Sequence, residues 1–220
     1  MTSFKVVVGD PEAKEPRVVY VKVVESDGIK LTESMKEGRE FIRAKVSPKL
    51  IELLNTPYRI ATVRIWKDRS KKEKVSFTVK LEADPAVPES TVLVPSGLLS
   101  EKLGSSEVLA EIFRSKVFQL VVSGAQATAF LGKKIGEYVD ASVVGIPGKR
   151  LLITGGTDSS GFPMIPTLPG SAKRALLLSE PPGFHPRNEG ERRRKMVRGS
   201  TISEEIVQIN TKLVDQEIVS

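Results

Sequence analysis

The densest group of side chains able to do chemistry lies in residues 187–198, RNEGERRRKMVR, where Arg187, Arg192, Arg193, Arg194, Lys195 and Arg198 crowd into twelve positions. Guanidinium groups fork onto phosphate oxygens and stack on exposed bases, so arginine at this density suits an RNA backbone better than lysine alone would. Most charge runs are simply solvated faces. Here, however, adjacent like charges repel one another unless an anion compensates them. Lys149, Arg150, Lys173 and Arg174 add the same sign, Lys133 and Lys134 form a weaker third group, and Lys71-Lys72 reads as a solvated hairpin tip. If about six of these cations neutralise phosphates, affinity falls roughly a thousandfold between about 50 and 200 mM salt.

A second segment, residues 155–164 (GGTDSSGFPM), brings Gly155, Gly156 and Gly161 close together. Glycine lets backbone amides approach a phosphate closely, which raises a nucleotide site as one reading. Neither G-x-x-x-x-G-K-[ST] nor G-x-G-x-x-G is present, and no periodic helix follows. A strand-to-strand loop, or a backbone contact to RNA, fits these glycines better. Ser159 or Ser160 with Asp158 and His185 would nominally supply a hydrolytic triad. The G-x-S-x-G elbow that exposes such a nucleophile is missing, so no catalytic residue is assigned. Phe184 and His185 sit in a Pro- and Gly-rich loop, where stacking on RNA or bonding to it is the better role.

The elements that must hold these segments read mainly as strands. Residues 4–8, 17–24, 59–66, 74–82 and 117–122 are Val-rich and β-branched; in the fourth, Val75, Phe77, Val79 and Leu81 alternate onto one face. The charged residues 67–74 look like an exposed hairpin connection, and a short strand falls between Pro88 and Pro95. Ser47-Pro48 opens a helix through Leu54, with serine as cap and proline at the first helical position. Leu98, Leu99, Leu103, Val108, Leu109, Ile112 and Phe113 predict a helical region broken in two by Gly104. Ser123 and Gln126 have the spacing of a capping box, opening a short helix ended by Gly132. From there to Gly148 the chain looks like part of a small, tightly turned β-barrel, and further strands follow at 150–154, 175–178, 195–198 and 206–209.

Bulk composition agrees with a soluble partner of a polyanion. Hydrophobic residues are 40% and charged residues 28%, a globular balance, while aromatics at 5% leave Val, Ile and Leu to build the core. The net charge is +7, yet residues 149–200 alone hold ten Lys/Arg against four Asp/Glu. That concentration points to nucleic acid rather than to a generally basic surface. With no cysteine and one histidine, neither a disulfide framework nor a thiolate or histidine metal centre is expected, and no cofactor is assigned. No segment approaches the length of about eighteen apolar residues that a membrane helix needs, and the first residues lack a signal-peptide core, so a cytosolic location is expected. Few Gln and Asn beside many Lys, Arg and Glu would suit a thermophile.

Residues 152–164 (LITGGTDSSGFPM), 174–179 (RALLLS), 190–199 (GERRRKMVRG) and 205–211 (EIVQINT) resemble, in order and spacing, the signature blocks of the S six e family of archaeal and eukaryotic small-subunit ribosomal proteins. Residues 116–148 and 4–11 (FKVVVGDP) are similar to further family segments. The resemblance implies a small β-barrel core made by the N-terminal strand plus the C-terminal half, interrupted by an inserted α+β module as in the longer archaeal form. The expected domains are 1–16 as first barrel strand, 17–115 as insertion and 116–220 as RNA-binding barrel, with residues 4–8 pairing with 117–122. It further implies a ribosome-bound, cytoplasmic structural role, with ribosomal RNA and neighbouring ribosomal proteins as partners and no membrane or small-molecule substrate. A free translation or RNA-processing factor is the alternative. Eukaryotic members carry a long basic C-terminal helix with phosphorylated serines; this chain ends soon after its last strand, and that regulation is not carried over.

Overall fold

The computed structural model describes residues 2–215. After β1 (Ser3–Gly9) come β2 (Val19–Ser26), α1 (Glu33–Lys36), β3 (Ile42–Val46), α2 (Pro48–Leu54), β4 (Ile60–Asp68), β5 (Glu73–Ala83), β6 (Thr91–Pro95), α3 (Leu98–Leu103) and β7 (Glu107–Arg114). The chain continues with β8 (Val117–Ser123), α4 (Ala125–Thr128), β9 (Tyr138–Asp140), a 3-10 turn (Ala141–Val144), β10 (Lys149–Asp158), β11 (Lys173–Leu178), β12 (Arg193–Arg198) and β13 (Ile206–Asp215). Two compact units result, one spanning Asp10–Phe118 and the other combining Met1–Gly9 with Gln119–Ser220.

The protein is mainly β, but its closed barrel is not where the sequence places one. Six strands in the order β2-β6-β3-β5-β4-β7 close a barrel within residues 19–114, the stretch that reads from the sequence as an α+β module. Alternation drives this closure: Val21, Val23, Ala44, Val46, Val63, Ile65, Val79, Leu81, Val92 and Val94 all turn into one buried cluster. Residues 107–114 are strand β7 rather than the second half of a broken helix. Their apolar positions fit both periods, and pairing with β2 on one side and β4 on the other selects the two-residue one. Helix α2 is as the sequence indicates, with the Ser47 hydroxyl accepting from the Leu50 N–H at 3.4 Å.

In the other unit, β8-β1-β13-β10-β9 form one five-stranded sheet, and β11-β12 form a separate two-stranded ribbon. The expected neighbouring of β1 and β8 holds, although more than a hundred residues lie between them. Strand β1 lies parallel to β13, whose other edge runs antiparallel to β10. The capping box at Ser123 is absent: Gly124 is the cap of α4, with no side-chain hydrogen bond, and the helix is a single turn.

The ribbon is pinned by the exit of β12. Arg198 is buried, its Nε donating to Asp158 Oδ2 at 3.0 Å and its Nη1 bonding Glu205 and, at 3.5 Å, the Ser171 carbonyl. The other Asp158 oxygen accepts from the N–H groups of Ser160 and Phe162, each at 2.9 Å. Four segments thus meet at one ion pair. Burial pushes the Asp158 carboxyl up, but the Phe162 N–H, the Arg198 guanidinium and the Ser160 N–H outweigh it and hold it below the ordinary range. Immediately after, the Gly199 N–H donates to Ala172 O, Ser200 to Leu168 O and Thr201 to Gly170 O. A Cβ on Gly199 would stand 2.0 Å from the Gly170 carbonyl oxygen, so only glycine permits that approach.

Gly199→Ala is therefore expected to lose about 2 kcal/mol or more of unfolding free energy. Gly155→Ala, where a Cβ meets nothing within 4 Å, stays within about 1 kcal/mol. Guanidinium denaturation of the two variants tests the contrast. Asp158→Asn leaves Arg198 short of its deepest partner and is expected to cost about 3 kcal/mol. Because the folded Asp158 pKa is depressed, its contribution is present above the unfolded value of about 4 and fades as pH falls through the folded one. Denaturation midpoints measured from pH 7 down to pH 2 should fall less steeply for Asp158→Asn than for the parent.

Candidate nucleic-acid interface

Antiparallel pairing sets the ribbon's cations in register: Arg193 faces Leu178, Arg194 faces Leu177, Lys195 faces Leu176 and Arg198 faces Lys173. Alternation then sorts them. Arg193, Lys195 and Arg174 share the face on which Val197 is buried, while Arg194 lies on the opposite face with exposed Leu177 and Met196. Residues 183–187 fold against the first face, where an open cleft of about 300 Å³ is lined by His185, Arg187, Arg193 and Lys195, with Glu191 as its carboxylate. Glu191 organises this loop: it accepts from the Arg187 N–H at 2.7 Å and pairs with Arg193 at 3.3 Å. Its position between Gly190 and the arginines is the one sequence signal that could have marked it, and the sequence reading passes over it.

Among the described residues Arg174, Arg192 and Arg194 are exposed, and none forms an ion pair with a carboxylate. Such a ribbon keeps its charge facing solvent, ready for an external anion. Lys134 belongs beside it. Ile202 donates to the Lys133 carbonyl at 2.8 Å and Ile135 to the Ser200 carbonyl at 3.0 Å, which fastens residues 133–135 to the chain leaving β12. Lys134 itself is exposed, whereas Lys133 pairs with Glu137 at 3.7 Å.

Several residues assigned to RNA from the sequence have other work. Arg198 is a buried structural cation, held by two carboxylates and closed to phosphate. Phe184 is buried and serves as a shelf under Arg193, whose guanidinium lies 5.9 Å from the ring centre, so it is not a surface for bases. Gly155 and Gly156 are not loop residues: both lie within β10, paired with Asn210 and Ile209. A Cβ on Gly156 would come within 2.6 Å of the Gln208 carbonyl oxygen, which makes its role close strand packing. Gly161 does sit in an exposed turn, at φ +80°. Lys149 pairs with Asp215, Arg150 stacks 4.6 Å from the Tyr138 ring centre, and Lys173 lies 4.2 Å from that of Phe162. The hydrolytic arrangement fails as well, since both Asp158 oxygens are taken by backbone amides and Arg198.

Comparison with known proteins accounts for the sequence blocks. The family model for Ribosomal protein S6e matches residues 108–219. "Small ribosomal subunit protein eS6" of Hyperthermus butylicus is 48% identical over 97% of this chain and 98% of its own length. The proteins of the same name from Staphylothermus marinus and Saccharolobus solfataricus are 45% and 44% identical, over 96% and 97% of this chain and 98% and 100% of theirs. These alignments also take in most of the residues before 108, which the family model does not reach. The relatives form a structural, non-enzymatic family, and the chain belongs to it: it is a member of the S6e family of small-subunit ribosomal proteins.

Proposed function

We propose that this protein is a structural constituent of the small ribosomal subunit that binds ribosomal RNA through the β11–β12 ribbon, the loop joining those strands and the exposed turn at Gly161. Residues 1–16 and 116–220 would form the RNA-binding domain, and 17–115 an insertion into it. The observation that carries this reading is the set Arg174, Arg192 and Arg194, exposed and, among the described residues, without carboxylate partners, on or just ahead of the strands of a ribbon whose base is locked by Arg198 and Asp158. Phosphates of folded RNA supply the missing anions, and the rigid base spares the arginines the entropy of finding their places. Arg187, Lys195 and His185 in the cleft, with Lys134 alongside, extend the same surface. Contacts of this kind fix position on RNA by shape and charge rather than by base sequence. The location would be cytoplasmic and ribosome-bound, next to other ribosomal proteins.

Changing Arg192, Arg193 and Arg194 together to Ala is expected to flatten the salt dependence of ribosomal RNA binding by about one unit of slope for each phosphate that is no longer neutralised. Filter binding from about 50 to 300 mM salt measures it, and a slope equal to the parent's counts against this surface. A constituent of the particle also remains with 30S subunits through a high-salt wash. Release in that wash would favour a free factor instead.

A further inference from the structure

The outer face of the barrel in residues 19–114 is unusual for a surface that should simply be wet. Because Val21, Val23, Val63, Ile65, Ala110 and Ile112 point into the core, their strand neighbours point outward. One row across the strands runs Tyr20, Glu111, Arg64, Ser76. The adjacent row contains Lys22 opposite Leu109, and Trp66 opposite Lys74. Leu109 is 79% exposed and Tyr20 66%, so large apolar side chains lie bare on the sheet face, with Val18, 46% exposed, just ahead of β2. Cations frame them. The guanidinium of Arg64 lies 4.6 Å from the Phe113 ring centre, and Arg64, Arg69 and Lys74 all approach the Trp66 ring within 6 Å of its centre, at 5.9, 5.9 and 5.6 Å.

We infer that this face is a second RNA-binding surface, on which a base of a single-stranded segment stacks on Tyr20 while the neighbouring phosphates meet Arg64, Arg69 and the lysines of the β4–β5 hairpin. Two features favour RNA over a protein partner. The hairpin, residues 67–74, carries five cations against two carboxylates. The carboxylates of the sheet face are already engaged, Glu111 by Arg69 at 3.0 Å and Arg64 at 3.8 Å, and Glu107 by Lys22 at 2.5 Å. The face therefore carries a cationic excess at the hairpin beside one exposed ring, Tyr20, of the kind on which unpaired bases stack. The inference rests on the small-subunit reading only for the source of the RNA.

Trp66 is the sole tryptophan, which gives the site its own reporter. Full-length protein carrying Arg192→Ala, Arg193→Ala and Arg194→Ala would be titrated with labelled decauridylate, following label anisotropy and tryptophan emission together. Saturable quenching that tracks the anisotropy is expected, weakened about tenfold by the exposed-site change Tyr20→Ala and similarly by Arg69→Ala with Lys74→Ala. Binding without a change in emission, or unchanged affinity in those variants, overturns the assignment, as does an absence of binding. Loss of binding in the triple-arginine protein relative to the parent bears separately on the ribbon. A photo-crosslinker at Leu109 in assembled small subunits distinguishes the partner: RNA adducts are expected, and adducts to protein alone overturn the inference.

Discussion

A buried ion pair between Arg198 and Asp158 governs what the rest of the basic ribbon is able to do. Taking two charges out of water is costly, and the pair is tolerable only because its remaining valences are filled. Here the filling is thorough: two backbone amides complete Asp158, while Glu205 and a carbonyl complete Arg198. The energetic gain of such a pair over an apolar one is small, but its geometric demand is strict. It ties the end of β12 to the end of β10 and to the turn that follows. The glycine at 199 then lets the 168–170 backbone close over the junction. A two-stranded ribbon by itself is marginal in water. Fixed at this root, it holds arginines at set positions.

The barrel unit uses the same device on different residues. Arg114 is buried at the end of β7, bonding Asp10 at 2.7 and 2.9 Å, Glu12 at 3.2 Å and the Asn55 carbonyl at 3.4 Å. In both units one arginine at a strand end gathers an aspartate and segments distant in sequence. Arginine suits the task because its planar fork reaches several acceptors at once and cannot discharge by losing a proton. The residue type that faces solvent in the ribbon thus also serves as a rivet in the interior, and only its acceptors tell the two uses apart.

That double use explains where the sequence is legible and where it is not. Strand alternation reveals which side chains turn inward, so most of the strands can be read from it; Ser47-Pro48 marks its helix by cap and ring, and the partnership of β1 with β8 is implied by the family resemblance rather than by any local pattern. It does not reveal how strands close, and residues 107–114 satisfy the helical and the extended pattern equally until β2 and β4 flank them. Within the run ending at Arg198, nothing local distinguishes the buried cation from Arg192 or Arg194. The difference is made by Asp158, forty residues earlier, and by Glu205 beyond the next turn. Phe184 and Gly156 are misplaced by sequence for the same reason, since burial and close backbone approach depend on partners far along the chain. The face containing Tyr20, Trp66 and Leu109 is invisible at that level because alternation draws attention to the inward residues, leaving the outward ones to be taken as ordinary surface.

The remaining question is why 27 carboxylates leave so many of 34 cations unneutralised where it matters. Many acids are turned onto the main chain as well as onto cations elsewhere in the fold. Asp10, Asp68, Asp84 and Asp140 each accept from an N–H two residues ahead, and Asp158 does so from Ser160 and Phe162. Glu25, on β2, accepts from the N–H groups of Leu99 and Ser100 and so caps α3, whose own cap position is a glycine without a side chain. Burial acts to raise the Glu25 pKa, but the Ser100 and Leu99 donors more than reverse it, the mark of a carboxylate bound as an anion. Backbone donors at turns and helix starts are thus satisfied by acids, while arginines at the strand ends satisfy carbonyls and close the interior. Acids fixed in turns and in buried pairs are held away from the ribbon, so among the described residues Arg174, Arg192 and Arg194 keep exposed charge without a carboxylate beside them.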